Sequence, residues 1–283
     1  MRRYRTTFQG IALAVFTLLT CLLGNAQETL RPVTTSWTVG AGSAHIADTY
    51  LSPLKYSGWN TSLGYNRMQV MPWKDADTWI SRLNIKADLN RALNPAGNAT
   101  MWSAELHASW GTMKRWKISD RIFLGLGPAL SIDAGCLYNA RNSNNPASAK
   151  CAATIDAIGF ISWSHSIGKC AFTLSYQPSL PVIGAFFSPR YDELYYEIYL
   201  GNHSGLAHVA WWGSRFKLDN LVALDIHLGK ESLRIGYNGS TMTSRVNNIT
   251  TRMIFHQAVI GYTTSWLSAA TVSSNHAINT SLY

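Results

Sequence analysis

Residues 79–89 read W-I-S-R-L-N-I-K-A-D-L. Trp79, Leu83, Ile85, Ala87 and Leu89 fall on one parity, and Arg82, Asn84, Lys86 and Asp88 on the other. Side chains of an extended chain alternate between faces, so this is a strand with one apolar and one charged face. The same alternation recurs. Residues 101–112 place Trp102, Ala104, Leu106, Ala108 and Trp110 opposite Ser103, Glu105, His107, Ser109 and Gly111. The next run sets Ile122, Leu124, Leu126, Leu130 and Ile132 against Arg121, Gly125, Gly127, Ser131 and Asp133.

Further strands are predicted at 36–46, 56–70, 155–163, 172–176, 193–200, 206–216, 222–228, 233–237 and 252–266. A long loop is predicted over Gln177–Asp192, which holds three prolines, and turns at 71–77 and at K-L-D-N, 217–220. Connections alternate roughly between long and short, and no helical period competes. The expected fold is all-β: an antiparallel up-and-down transmembrane β-barrel of about twelve strands, within ten to fourteen.

The N-terminus changes the picture from fold to place. Arg2, Arg3 and Arg5 precede the apolar run Ile11–Leu23, which is too short to span a bilayer as a helix, and Gly24-Asn25-Ala26 offers a small-residue cleavage site. Residues 1–26 are therefore expected to be a cleaved signal peptide, 27–266 the barrel and 267–283 a C-terminal tail. Lipidation at Cys21 is the alternative, with Thr20 a poor fit. Cleavage would leave 257 residues (283 minus 26) and lower the net charge from +9 to +6 by removing three arginines.

Composition agrees with a membrane wall. Charged residues are 14% of the chain, against about 25% in an ordinary soluble domain. Trp and Tyr number 11 and 13, the residues that gather at membrane interfaces. Trp102 and Trp110, eight residues apart on one face, stand about 26 Å apart along a strand, the height of an apolar band between aromatic girdles. There is no basic stripe, so nucleic acid is excluded as a partner. The expected partners are outer-membrane lipid and, beyond it, a small solute or a surface ligand.

The stretches F-F-S-P-R-Y-D-E-L-Y-Y-E-I-Y-L-G-N (186–202), G-L-A-H-V-A-W-W-G (205–213), L-R-I-G-Y (233–237), V-N-N-I-T-T-R-M (246–253) and S-G-W-N-T-S-L-G-Y (57–65) resemble a family of uncharacterised proteins of Bacteroides-like bacteria. Its members are treated as outer-membrane β-barrels of unknown function. The resemblance implies the barrel and its location, and no activity.

Candidate chemistry is sparse. Glu105, His107 and Ser109 share a strand face, and H-A-S-W-G is faintly similar to the His-x-Ser of outer-membrane lipases, without the Asn that follows there. Residues two apart on a strand are about 6.6 Å apart, too far for a direct acid–base–nucleophile relay. Arg82, Lys86, Asp88, Glu105, His107, Arg121 and Asp133 are expected to line the lumen, either as a charge-selective constriction or as a salt-bridged filling. Arg190, Tyr191, Asp192 and Glu193 form a polar loop cluster, read as a ligand site or as an interfacial belt. Cys136 and Cys151 are a candidate disulfide, Cys151–Cys170 the rival pairing and free thiols the third possibility. No spacing suggests a metal site or a cofactor. The expected function is a non-enzymatic barrel, a narrow channel or a structural surface protein. A barrel-embedded lipid hydrolase and a secreted soluble β-sandwich binding module are the alternatives.

Overall fold

The computed structural model describes residues 31–71, 78–143, 145–168, 170–191 and 193–268. The expected signal peptide and nearly all of the tail lie outside them, as does Asp192.

The described residues form eleven strands and one short helix: β1 Arg31–Asp48, β2 Ser52–Val70, β3 Trp79–Leu93, β4 Thr100–Ser119, β5 Ile122–Asn139, β6 Ala147–Ile167, β7 Cys170–Phe187, α1 Tyr195–Tyr199, β8 Ala207–Ala210, β9 Arg215–Leu228, β10 Glu231–Val246 and β11 Ile249–Ser268. Each pairs antiparallel with its neighbours, β1 pairs with β11, and β6 pairs with β7, so β1–β7 and β9–β11 close on themselves. The fold is a closed antiparallel barrel of ten strands, with β8 outside the ring on the edge of β7.

Ten strands rather than twelve is the first correction, and it comes from one region. Residues 193–200 alternate Tyr195, Glu197 and Tyr199 as a strand would, yet residues 195–199 are helical. At Phe187 the chain has left the wall, and the segment satisfies its backbone internally, Ile198 N–H donating to the Leu194 carbonyl and Leu200 N–H to the Tyr196 carbonyl. Glu197 Oε2 accepts the Leu194 amide at 3.2 Å across the helix start. Residues 206–216 are divided among β8, a turn and the start of β9.

The expected loop at 177–192 is a second correction: β7 runs through Pro178 and Pro181 to Phe187. Gly159 on β6 makes room for Pro178, since a Cβ there would lie 2.9 Å from its ring. Val182 is an extra residue between the pairs Ile155↔Ile183 and Asp156↔Pro181, a bulge that absorbs the second proline. K-L-D-N, read as a turn, lies inside β9.

The regular wall follows the alternation. In β3 the even positions Arg82, Asp88 and Asn90 are buried, and in β4 the odd positions Met101, Ser103 and Ser109. Outward positions are apolar and bare: Leu106 is 51% exposed, Leu130 58% and Ile260 59%. Trp59 and Trp102 meet edge to face at 6.0 Å, with Tyr138 opposite Trp102 in register. Trp37 packs on Tyr65 at 4.7 Å and pairs with Tyr262. The two aromatic patches are six residues, about 20 Å, apart along β2.

One end of the barrel carries Arg31, Ser268, the tight turns Asp120–Arg121 and 229–230, and the β2–β3 and β6–β7 connections. The opposite end carries the long connection 188–214 and, among its shorter ones, the two-residue turn Asn247–Asn248. Both asparagines are left-handed, φ 52° and 60°, the geometry that lets a two-residue hairpin follow the strand twist. At this loop end the lumen is filled by apolar side chains, among them Ile46, Met101, Leu137, Met253 and Phe255, with Tyr195 of α1 packed against them. A second apolar cluster, Met68, Val70, Ile80, Met113, Ile158 and Phe160, fills one side toward the turn end.

Candidate functional site in the barrel lumen

Between the apolar layers the lumen is polar, and its centre is a carboxylate. Asp133 on β5 accepts from His107 Nδ1 at 2.7 Å, Lys217 Nζ at 2.7 Å and Arg215 Nη2 at 2.7 Å. His107 reaches it from the adjacent strand, where the two residues are directly paired. Lys217 and Arg215 reach it across the lumen from β9. Three cationic or neutral donors around one half-buried acid compensate the cost of taking it out of water.

Several other luminal charges are likewise engaged, while Glu105 keeps one buried carboxylate oxygen without a hydrogen-bond partner. Lys86 pairs with Asp88 at 3.1 Å. Arg234 holds Asp225 through two hydrogen bonds, 2.8 and 2.7 Å, and donates a third to Ser36. Lys150 pairs with Asp48 at 2.5 Å. Asn60, Asn90, Gln257 and Asp88 form one amide–carboxylate network across β2, β3 and β11. Asp156 accepts three hydroxyls, from Ser131 at 2.6 Å, Thr154 at 2.6 Å and Ser179 at 3.3 Å. What remains between these groups is a cavity of about 90 Å³ lined by Arg82, Lys86, Glu105, His107, Ser179 and Lys217, among others.

Of the residues expected to line the lumen, Arg82, Lys86, Asp88, Glu105, His107 and Asp133 do so. Arg121 does not. It sits exposed in the β4–β5 turn, with Nη1 3.5 Å from His165 Nδ1. The alternation places Arg121 on the polar face, but β5 begins one residue later. Glu105, His107 and Ser109 point inward together, yet the hydrogen bond of the His107 ring runs to Asp133 and neither to Glu105 nor to Ser109. No hydrolytic relay is assembled among them. The sequence reading missed Asp48, Lys150, Asp156, Arg215, Lys217, Asp219, Asp225 and Arg234. The signal for the β9 members was Lys217, Asp219 and Asp225 on one parity, hidden by reading 217–220 as a turn.

The loop cluster is split rather than gathered. Glu193 is buried, and its Oε2 accepts the Arg190 amide at 3.1 Å. Tyr50 donates its hydroxyl to the Glu193 carbonyl at 2.9 Å. Arg190 and Tyr191 are exposed. The Tyr195 hydroxyl accepts the Ala149 amide at 2.6 Å, so the segment before and within α1 is tied down over the barrel mouth. Burial raises the pKa of both phenols, and at Tyr50 the nearby Tyr195, Glu193, Asp48 and Glu197 add to it.

Cys136, Cys151 and Cys170 are free and exposed. Cys136 pairs with Ala149 and Cys151 with Ala134, so the expected partners stand two residues out of register on the outer face. The polar segment they were taken to bracket is shorter, because β5 and β6 extend through both cysteines. Among the described residues no group of three or more His, Cys, Asp or Glu is placed to hold a metal.

Several solved structures are similar to this barrel. The outer membrane protease OmpT from Escherichia coli is 7% identical, with a TM-score of 0.43, over 85% of this chain and 98% of that one. The translocator domain of the autotransporter NalP from Neisseria meningitidis is 7% identical, with a TM-score of 0.34, over 92% and 95%. A Pseudomonas aeruginosa FadL homologue is 7% identical, with a TM-score of 0.29, over 85% and 90%. No curated protein matches the chain in sequence. Residues 11–271 match the family model described as Protein of unknown function (DUF3316), and the chain belongs to that family.

Proposed function

We propose that this protein is an integral β-barrel of the outer membrane of a Gram-negative bacterium of the Bacteroides type, delivered there by residues 1–26. In this reading it is a closed, non-enzymatic surface or structural protein rather than an open pore. Two faces support it. The outer wall presents a continuous belt of Leu, Ile, Val and Trp side chains to its surroundings, which a monomer in water does not sustain. A bilayer core about 30 Å thick is the medium that accepts such a belt.

The inner face supports the plug over the pore, and the apolar layer at the loop end is the observation that carries this reading. Ile46, Met101, Leu137 and Met253 are at most 1% exposed and fill the section below α1. The polar cavity beneath them has room for about six water-sized bodies. Small barrels are filled by their side chains, and this one is filled by an apolar cap over an ion-paired middle.

The test is conductance of the refolded mature protein in a planar bilayer, with folding shown by retarded or advanced migration in SDS before boiling. Folded protein is expected to pass no steady current. A steady open-channel current from the same preparation would replace this reading with a narrow channel, with Lys86, Asp133 and Lys217 at its constriction.

A further inference from the structure

The wall has a seam. β7 pairs with β9 from Ala171↔His227 to Ser179↔Asp219 and no further. Above that pair, Leu180–Ile183 have no partner on this edge until β8 takes over at Gly184↔Ala210. Arg215–Leu218 of β9 pair with β10 and have no partner on β7. Four residues of β7 therefore face eight residues of the returning chain, 211–218, and the surplus is thrown into the turn Trp211–Ser214. Across the gap a side chain makes the bridge: Trp212 Nε1 donates to the Pro181 carbonyl at 2.6 Å. Outside, Val182, Ile183, Trp211 and Trp212 are exposed and apolar.

Inside, the polar cavity reaches the residues at the lower end of the seam. Gln177, Ser179, Lys217, Asp219 and Arg82 all line it, so its wall includes the last paired residues of the seam. Arg82 is the unusual member. It is 5% exposed, and its guanidinium makes one long hydrogen bond, 3.4 Å to the Gly159 carbonyl, and no ion pair among the described residues. Asp156 and Asp219 attract it at longer range, but Asp156 accepts three hydroxyls and Asp219 pairs with Lys217 at 3.3 Å. A buried cation with spare donors is costly unless an anion meets it.

We infer that the β7–β9 seam is a lateral binding site for a single-chain amphiphile with a small anionic head, the head meeting Arg82 in the lumenal cavity and the hydrocarbon tail lying against Val182, Ile183 and Trp211 in the bilayer. Three observations select this occupant. The cation selects an anionic head. The cavity volume admits a carboxylate with a few waters and excludes a bulky headgroup. The apolar outer lip selects a tail that stays in lipid. Trp212 is the strap across the entrance.

The inference rests on the membrane reading of the barrel, so the experiment reports insertion and binding separately. The mature chain is refolded into lipid nanodiscs, and heat-modifiable migration together with co-elution with lipid establishes insertion. Carboxyl-labelled dodecanoate is then titrated in, with dodecanol and acetate as probes lacking the charge or the tail. Expected is saturable dodecanoate binding at one per barrel with a shifted carboxyl resonance. Arg82→Gln should weaken it about tenfold or more, the scale of a lost charge-assisted pair. Inserted protein that does not bind dodecanoate overturns the proposal, as does equal binding of dodecanol or acetate, or unchanged binding by Arg82→Gln. Should Arg82→Gln fail to insert, Trp212→Ala decides. Loss of one indole hydrogen bond from the strap should speed exchange of bound dodecanoate with the bilayer about threefold, and unchanged exchange overturns the portal.

Discussion

The six strands β1–β6 and the β7–β9 region are built on different principles. In β1–β6 each strand runs 15 to 21 residues and is bonded to neighbours along most of its length. Parity alone assigns their side chains, and the main chain holds the wall. In β7–β9 the main chain is interrupted by Pro178, Pro181, the Val182 bulge and the turn 211–214. There the wall is held from within, by Arg215 and Lys217 reaching across to Asp133. In this barrel, ion pairs across the lumen stand beside a stretch of the described wall where ladder bonds between neighbouring strands are missing.

Asp133→Ala breaks that contrast most strongly. It leaves Arg215, Lys217 and His107 without their shared acceptor, and removing one side of a buried ion pair costs about 3–5 kcal/mol. Urea unfolding in lipid vesicles should show a loss of that size. Amide exchange should rise at 215–218 while β1–β6 stay protected. Equal acceleration throughout the barrel would show that the seam has no special dependence on Asp133.

Leu106→Arg tests the regular wall from the other side. Leu106 points outward in the middle of β4. An arginine on the lipid face near the bilayer centre costs about 2–4 kcal/mol, whereas on a watery surface it costs almost nothing. An unchanged unfolding midpoint in vesicles would argue that this face does not meet lipid.

How much of this was legible in sequence follows the same division. The inward set Arg82, Lys86, Asp88 and the outward set Ile85, Leu89, Leu106 could be read because a period of two in a half-buried strand has one physical solution. The seam could not. Prolines usually end a strand, and nothing in Gln177–Phe187 says that Gly159, distant in sequence, makes room for one of them. Tyr195, Glu197 and Tyr199 alternate like a strand, and nothing in that alternation says that the backbone will bond to itself once the chain leaves the wall. Lys217 and Asp219 look like turn residues until Asp133 is placed across from them. The glycines mark the limit of local reading as well: a Cβ at Gly42 would lie 1.8 Å from the His256 carbonyl, a closeness set by barrel closure between the first and last strands.

The loop-end cap should respond to alkali before the wall does. Tyr50 and Tyr195 have pKa values raised by burial, so the folded cap keeps its protons where the unfolded chain, with phenols near about 10, begins to lose them. The unfolded state then binds fewer protons than the native one, and stability falls as pH rises. The contribution is complete below about pH 10 and is lost progressively above it. Proteolysis of residues 188–214 is expected to begin in that range while β1–β6 remain resistant. Tyr50→Phe should shift the onset upward, because it removes one of the two titrating groups. An onset below neutral pH would show that the cap is held by other contacts.

The smallest effect is expected at the cysteines, and its smallness carries the information. A disulfide closing the β5–β6 loop would add about 3 kcal/mol by restricting the unfolded chain. The structure instead has Cys136 and Cys151 as free thiols two residues out of register on the outer face of two strands already joined along their length. A Cys136→Ser, Cys151→Ser double variant should therefore unfold within about 0.5 kcal/mol of the parent, with or without reductant. A large loss confined to oxidising conditions would mean that the two strands slip by a pair to meet, and that the ladder between β5 and β6 is less rigid than its unbroken register suggests.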